Sequence, residues 1–183
     1  FPLAEGTEAH RMHLRAMRER VPVHFETYSP DLDAWVEAHI YPAPDGGLSV
    51  FFRDIGERRQ AEQALRASET RFRTLANATP VIIWYTTAEG DIQFINRAYA
   101  EFFGVTLVQV REGGWQPLVH PDDQTAYTGE FMECIRERRT FRAEARVRRS
   151  DGEWRWIESR GRPYYSDAGE FLGIGGSSLD VTE

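Results

Sequence analysis

From Phe141 to Arg148 apolar and charged residues alternate without a break, with Phe141, Ala143, Ala145 and Val147 on one side and Arg142, Glu144, Arg146 and Arg148 on the other. Successive side chains of a strand point to opposite faces, so this stretch predicts a strand with one buried and one wet face. Ser150-Asp151-Gly152 marks a turn into EWRWIESRGRPYY, and Ser166-Asp167-Ala168-Gly169 a second turn into EFLGIGGSSLDV. Upstream, PVIIWYTTAEGDIQFIN reads as two β-rich runs around the hairpin signal Glu89-Gly90-Asp91. Between these blocks the pattern changes. NRAYAEFFGV predicts a short helix stopped by Gly104, and residues 105–119 are short-helical at best. HPDDQTAYTGEFMECIRERR opens on Pro and two acids and closes on Arg136, Arg138 and Arg139, the charge order that a helix dipole favours. Two strands, short helices, one long helix and three hairpin-linked strands make an α+β antiparallel arrangement.

The chain repeats itself. MRERVPVHFE begins at Met17 and IRERRTFRAE at Ile135, 118 residues later. Trp35-Val36-Glu37-Ala38 then echoes Trp156-Ile157-Glu158-Ser159, Pro42 echoes Pro163, and the run from Phe52 to Glu57 echoes that from Ser178 to Glu183. Residues 1–55 therefore match only the rear of the later unit, predicting three strands in VPVHFETYS, AWVEAHIYPA and LSVFFRD. Without its front half, this copy should leave a bare sheet face, and an unpaired edge along Leu48, Val50 and Phe52 that recruits a partner.

Residues 56–79 join the copies. From Glu57 to Thr79 there is no Pro or Gly, and Asp54 with Glu57 forms a capping-box-like start that Asp180 with Glu183 repeats. Ala61, Leu65, Ser68, Phe72 and Leu75 fall at 4-3-4-3 spacing, a seam of about two heptads. Glu62 with Arg66 and Glu69 with Arg73 are favourable i,i+4 pairs. The pattern admits a parallel dimer seam or an amphipathic helix packed on its own domain, and the absence of Gly and Pro leaves least room for a flexible linker.

Composition narrows the function classes. A net charge of −7 argues against a broad nucleic-acid footprint, and Glu144, Asp151 and Glu153 interleave with Arg146, Arg148 and Arg149. One cysteine, Cys134, excludes an intrachain disulfide and a cysteine-based zinc cluster, and fits a reducing, cytoplasmic setting. No apolar run approaches the ~20 residues of a membrane span. The chain begins at Phe1 without a signal-peptide pattern and reads as a piece of something longer.

His120-Pro121-Asp122-Asp123 before the long helix, Phe141…Glu144…Arg146, Arg149-Ser150-Asp151-Gly152, Trp154-Arg155-Trp156-Ile157, Gly161-Arg162-Pro163, Gly169 to Gly176 and the closing Asp180-Val181-Thr182-Glu183 together resemble the PAS domain family, in particular the PAS domains of bacterial sensor histidine kinases. The resemblance covers roughly 70–183 as a complete domain, whose fold would occupy 80–183, and 1–55 as the C-terminal half of another. It implies a five-stranded antiparallel sheet in the order 2-1-5-4-3 with helices cupped over one face around a small cavity. It implies a sensory and signal-relay role, with Asp54, Glu57, Asp180 and Thr182 at the relay points, and favours a homodimer through Ala61, Leu65, Phe72 and Leu75. A ligand-free dimerisation scaffold and a cofactor-binding redox or light sensor are the alternatives.

Converging catalytic groups are not found: His120 has no sequence partner and reads as a helix-start marker, and Cys134 as a structural thiol. The cysteine used by flavin-binding light sensors of the family has no counterpart in Glu112-Gly113-Gly114-Trp115-Gln116-Pro117, and residues 122–139 offer haem no histidine, so both cofactors are disfavoured and the ligand stays open. The glycines of Gly173–Ser178 lack the lysine and helix of a phosphate loop and instead suggest close backbone approach. A ring-lined cavity with a few polar groups is the usual small-ligand site, and its candidate lining is Trp84, Phe94, Asn96, Phe102, Trp115 and Trp156.

Overall fold

A computed structural model of the chain describes residues 6–182 and divides into two compact units, 1–69 and 70–183. Glu183, the expected capping partner of Asp180, lies outside the described residues.

The first unit opens with helix α1 (Glu8–Glu19), capped by the Thr7 side chain, which accepts from the His10 amide. Strands β1 (Val23–Ser29), β2 (Ala34–Pro42) and β3 (Leu48–Asp54) follow as an antiparallel sheet in the order β1-β2-β3. The expectation of a bare sheet face is overturned. Helix α1 lies on that face and buries Ala16 against Val23 and Ile40, with Met12, Phe25, Leu48 and Val50 around them. Arginines and two histidines, His10 and His13, between the apolar positions of 8–19 had hidden this helix, although its apolar side chains do fall on one face. The β3 edge carries no partner strand among the described residues, and Phe51 and Phe52 are exposed.

The repeat is geometric as well as verbal. Arg20 ends α1 in the left-handed conformation at φ 54°, and Arg138, 118 residues on, ends the long helix of the second unit at φ 54°. Helix α2 (Gly56–Ala78) connects the sheets in sequence.

In the second unit β4 (Ile82–Thr86) and β5 (Ile92–Ile95) form the first hairpin. Helices α3 (Arg97–Phe103) and α4 (Leu107–Gly113), a 3-10 turn at Gln116–Leu118 and the long α5 (Pro121–Glu137) come next. Strands β6 (Phe141–Arg148), β7 (Trp154–Tyr165) and β8 (Phe171–Asp180) complete an antiparallel sheet in the order β5-β4-β8-β7-β6, the order 2-1-5-4-3 that the resemblance implied. Its helices cover one face over a core that includes Trp84, Phe131, Phe141, Ile157 and Ile174. The glycines of β8 serve close approach. A Cβ on Gly176 would fall 2.2 Å from the Arg160 carbonyl oxygen, and one on Gly173 2.0 Å from that of Thr86.

Two local devices aim the helices. Asn96 caps α3 by accepting from the Tyr99 amide at 3.1 Å, and Gly104 closes it in the left-handed region. His120 precedes Pro121 and accepts from the Asp122 amide at 3.2 Å, so it marks the helix start as its sequence position implied. Asp123 receives the Arg146 guanidinium on both oxygens and the Arg146 amide at 3.0 Å, tying α5 to β6. The Arg146 bonds hold the Asp123 carboxyl at about 2, below the usual carboxylate range.

Candidate functional site: a ring-lined cavity and its exits

Between the helices and the inner face of the second sheet lies a cavity of about 50 Å³. At ~15 Å³ per water it has room for roughly three water molecules. Its wall includes the rings of Trp84, Tyr99, Trp115, Tyr127, Phe131 and Phe141, with Thr86 and Ser178 as its hydroxyl residues besides the tyrosines, and among the described residues no charged side chain lines it.

Of the six residues expected to line the cavity, the structure brings Trp84 and Trp115 there and sends the other four elsewhere. Phe94 is buried on the opposite face, stacked on Tyr85 at 5.2 Å and tilted against Phe72 of α2 at 5.1 Å. The cause is a β-bulge: Tyr85 pairs with Phe94 but Thr86 pairs with Ile92, so Gln93 is an extra residue and Ile92 and Phe94 point to opposite faces. Strict alternation cannot predict that. Trp156 pairs with Arg146 on the outer face, is 43% exposed, and has the Arg146 guanidinium 5.6 Å from its ring centre. Its neighbour Ile157 faces the cavity instead. The polar face already assigned to Arg146 carried this information. Phe102 packs edge-on to Phe103, which with Tyr99 forms the i,i+4 pair of α3 that lines the cavity. Asn96 is buried, with its oxygen accepting from the Ile83 and Tyr99 amides and its nitrogen donating to the Ala76 and Val81 carbonyls. That leaves it a fastener of α2, β4 and α3 rather than a ligand group.

Sequence reasoning missed the polar chain in the cavity wall. The Tyr127 hydroxyl donates to Ser159 Oγ at 2.7 Å, Ser159 Oγ and Ser178 Oγ are 2.7 Å apart, and Trp84 Nε1 donates to Ser178 Oγ at 3.0 Å. The chain links α5, β7, β8 and β4. Burial pushes the Tyr127 hydroxyl up to about 12, partly opposed by its bond to Ser159. Tyr99 is also pushed up by burial and by neighbouring Tyr127, and no hydrogen bond is made by its hydroxyl among the described residues. Serines inside an otherwise apolar strand were the available signal.

The exits from the two sheets can be described in turn. In the first unit Asp54 Oδ1 accepts from the Gly56 amide at 2.7 Å, two residues on, and Ile55 is buried. The expected reciprocal capping box with Glu57 is not formed. Glu57 sits in the first turn as a dipole-compensating acid. In the second unit Asp180 Oδ1 accepts from the Thr182 amide at 2.9 Å, and Thr182 Oγ1 accepts from the Trp156 amide at 2.9 Å. Burial raises the Asp180 carboxyl, but the Thr182 hydrogen bonds and the charges of Arg155 and Arg149 outweigh it and leave it lowered. Along α2, Ala61, Leu65, Phe72 and Leu75 are all exposed, Leu65 at 62% and Leu75 at 67%, and Phe72 alone of these also touches rings of the second sheet.

Cys134 is fully buried, its thiol pushed up to about 11 by burial first and by the Glu130 contact second. Among the described residues no cluster of His, Cys, Asp and Glu is placed to hold a metal ion, and no helix is long and apolar enough to cross a membrane.

A family model described as the PAS fold matches residues 92–177. The chain is 37% identical over 144 residues to protein y4lL of Sinorhizobium fredii, covering 77% of this chain and 17% of that protein. It is 32% identical over 145 residues to the two-component sensor PprA of Pseudomonas aeruginosa, covering 75% of this chain and 15% of that sensor. The chain thus spans less than a fifth of the length of these relatives. The PAS domain of a Colwellia psychrerythraea protein superposes with a TM-score of 0.53 at 23% identity, over 62% of this chain and 96% of that domain, a likeness of fold.

Proposed function

We propose that this chain, whose residues 92–177 match the PAS fold, is a sensory and signal-relay segment, without catalysis of its own, in a cytoplasmic part of a larger signalling protein. A sensor histidine kinase is the parent that the relatives support, since PprA is a two-component sensor and BvgS of Bordetella bronchiseptica, 32% identical over 135 residues, is a virulence sensor. The observation that carries the reading is the hydroxyl chain from Tyr127 through Ser159 to Ser178. Ser178 lines the cavity and stands two residues before Asp180, where β8 ends.

The ligand is a neutral molecule of a few non-hydrogen atoms. The wall carries no charge to pair with an ion, and Tyr99 offers an unused hydroxyl. Such a ligand would engage Tyr99 and shift the serine bonds, and the exit at Asp180 and Thr182 would pass the change to the segment beyond. Two states separated by a few kcal/mol are enough for this. The test is a titration of the isotopically labelled chain with small alcohols and ketones, followed by NMR. Shifts at Tyr99 should propagate to residues 178–182. Binding without that propagation would sink the relay.

A second reading, a ligand-free dimerisation scaffold, draws on the exposed Leu65 and Leu75 at seam spacing. The two are compatible if the relay runs through a homodimer. Saturable binding of any of these probes would exclude the ligand-free form.

A further inference from the structure

Strand register makes the two sheets comparable residue by residue at the point where each chain path leaves. The Trp35 carbonyl accepts from the Ile55 amide at 2.9 Å, and the Trp156 carbonyl from the Val181 amide at 2.8 Å. Val36 faces Asp54 as Ile157 faces Asp180. On the neighbouring strands Glu26 faces Glu37 as Glu144 faces Glu158, and Tyr28 faces Trp35 as Arg146 faces Trp156. Glu144 is therefore the counterpart of Glu26, and Trp156 of Trp35.

In the first unit both positions are occupied by the opening turn of α2. Arg58 Nη2 lies 2.6 Å from one oxygen of Glu26 and Arg59 Nη1 2.9 Å from the other. The Arg59 guanidinium also stands 3.9 Å from the centre of the Trp35 ring, within cation–π range. In the second unit the same pair is open. Glu144 is exposed and makes no hydrogen bond or ion pair among the described residues. Its cross-strand neighbour Glu158 is already matched by Arg142 and Arg160. Trp156 is 43% exposed, and the guanidinium over its ring, that of Arg146, is engaged by Asp123.

We propose that Glu144 and Trp156 form a seat for a helical turn bearing two adjacent arginines, entering from the Val181 end of β8. Charge complementarity and the occupied counterpart select this occupant. An unmatched carboxylate beside an open indole face suits a guanidinium that pairs with one and stacks on the other. Position follows from the same register. The gripping arginines stand four and five residues after Asp54, so the seat fits arginines at the fourth and fifth positions after Asp180.

The test extends the chain past Glu183 with Arg-Arg-Gln-Ala-Glu-Gln-Ala-Leu-Arg, the sequence of residues 58–66. The Trp156 indole signal should shift, and amides of the added turn should exchange at least tenfold more slowly than in a matched extension beginning Glu-Glu. Glu144→Gln should abolish both effects, while Glu144→Arg combined with the Glu-Glu extension should restore protection. Melting of the unextended chain should be unchanged by Glu144→Gln, since that side chain is exposed and unpaired. Equal exchange with either extension, or protection that survives Glu144→Gln, would overturn the proposal. So would an indole shift that appears without any extension and grows with protein concentration, since the surface would then belong to a second copy.

Discussion

At the scale of single residues, the second unit places unpaired and paired polar groups in the wall of one cavity. Ser178→Ala removes the acceptor of the Trp84 indole and the partner of Ser159 together. Stranding buried polar groups costs about 1–3 kcal/mol, so thermal melting should fall accordingly, and the loss should exceed that of Thr182→Ser, which keeps its hydroxyl. Acid stability has a definite sign. Asp123 titrates near 2 in the folded chain, against 3.8 for an unperturbed aspartate, so its contribution is whole above that range and is lost as pH falls through it. Asp123→Asn should flatten the acid limb between about pH 4 and 2 in a chemical-denaturation series. Tyr127 runs the other way: with its folded value near 12, its contribution is present below pH 10 and disappears as pH rises toward 12. Which residues would meet inside was only half legible. Large rings are readable as buried, but the side of the sheet on which they are buried depends on register. Register put Trp156 outside through its pairing with Arg146, and the extra residue at Gln93 put Phe94 outside.

At the scale of elements, α2 shows how spacing and packing divide the evidence. The 4-3-4-3 pattern is present, and Leu65 and Leu75 are left exposed by the unit each belongs to. Leu65→Glu should therefore lower the association constant at least tenfold in light scattering without changing monomer stability, since an isolated charge in a helix seam must be desolvated. Phe72→Glu should do both, because Phe72 also rests on Tyr85 and Phe94. Unchanged mass for Leu65→Glu would mean the seam is a wet face. The strands, the hairpins and the long α5 were readable because their periods of 2 and 3.6 are carried by uninterrupted runs. Helix α1 was not, because its apolar positions, Met12 and Ala16 among them, are separated by arginines and histidines and only Ala16 is fully buried.

At the scale of the whole molecule, one design is used twice with different completeness. The first sheet has a small core under α1, whereas the second encloses many rings, and Phe141 is buried among Trp84, Tyr127 and Phe131. Phe141→Ala should destabilise the second unit by about 3–5 kcal/mol, read from hydrogen exchange in β6–β8. The order of strands could be foreseen because the family resemblance carries topology. The size of the cavity could not, since 50 Å³ is what remains after more than a dozen side chains have settled. The bulge at Gln93 has a consequence for descent. Every substitution in β5 alters one wall residue at a time, and losing the single codon for Gln93 would leave Ile92 inward and Phe94 outward, since Tyr85 would still pair with Phe94 and Thr86 with Ile92 in an unbroken ladder. A lineage carrying this hairpin can thus gain or shed that one codon without exchanging what faces the cavity, whereas inserting or losing a residue without a bulge to absorb it would turn the strand over.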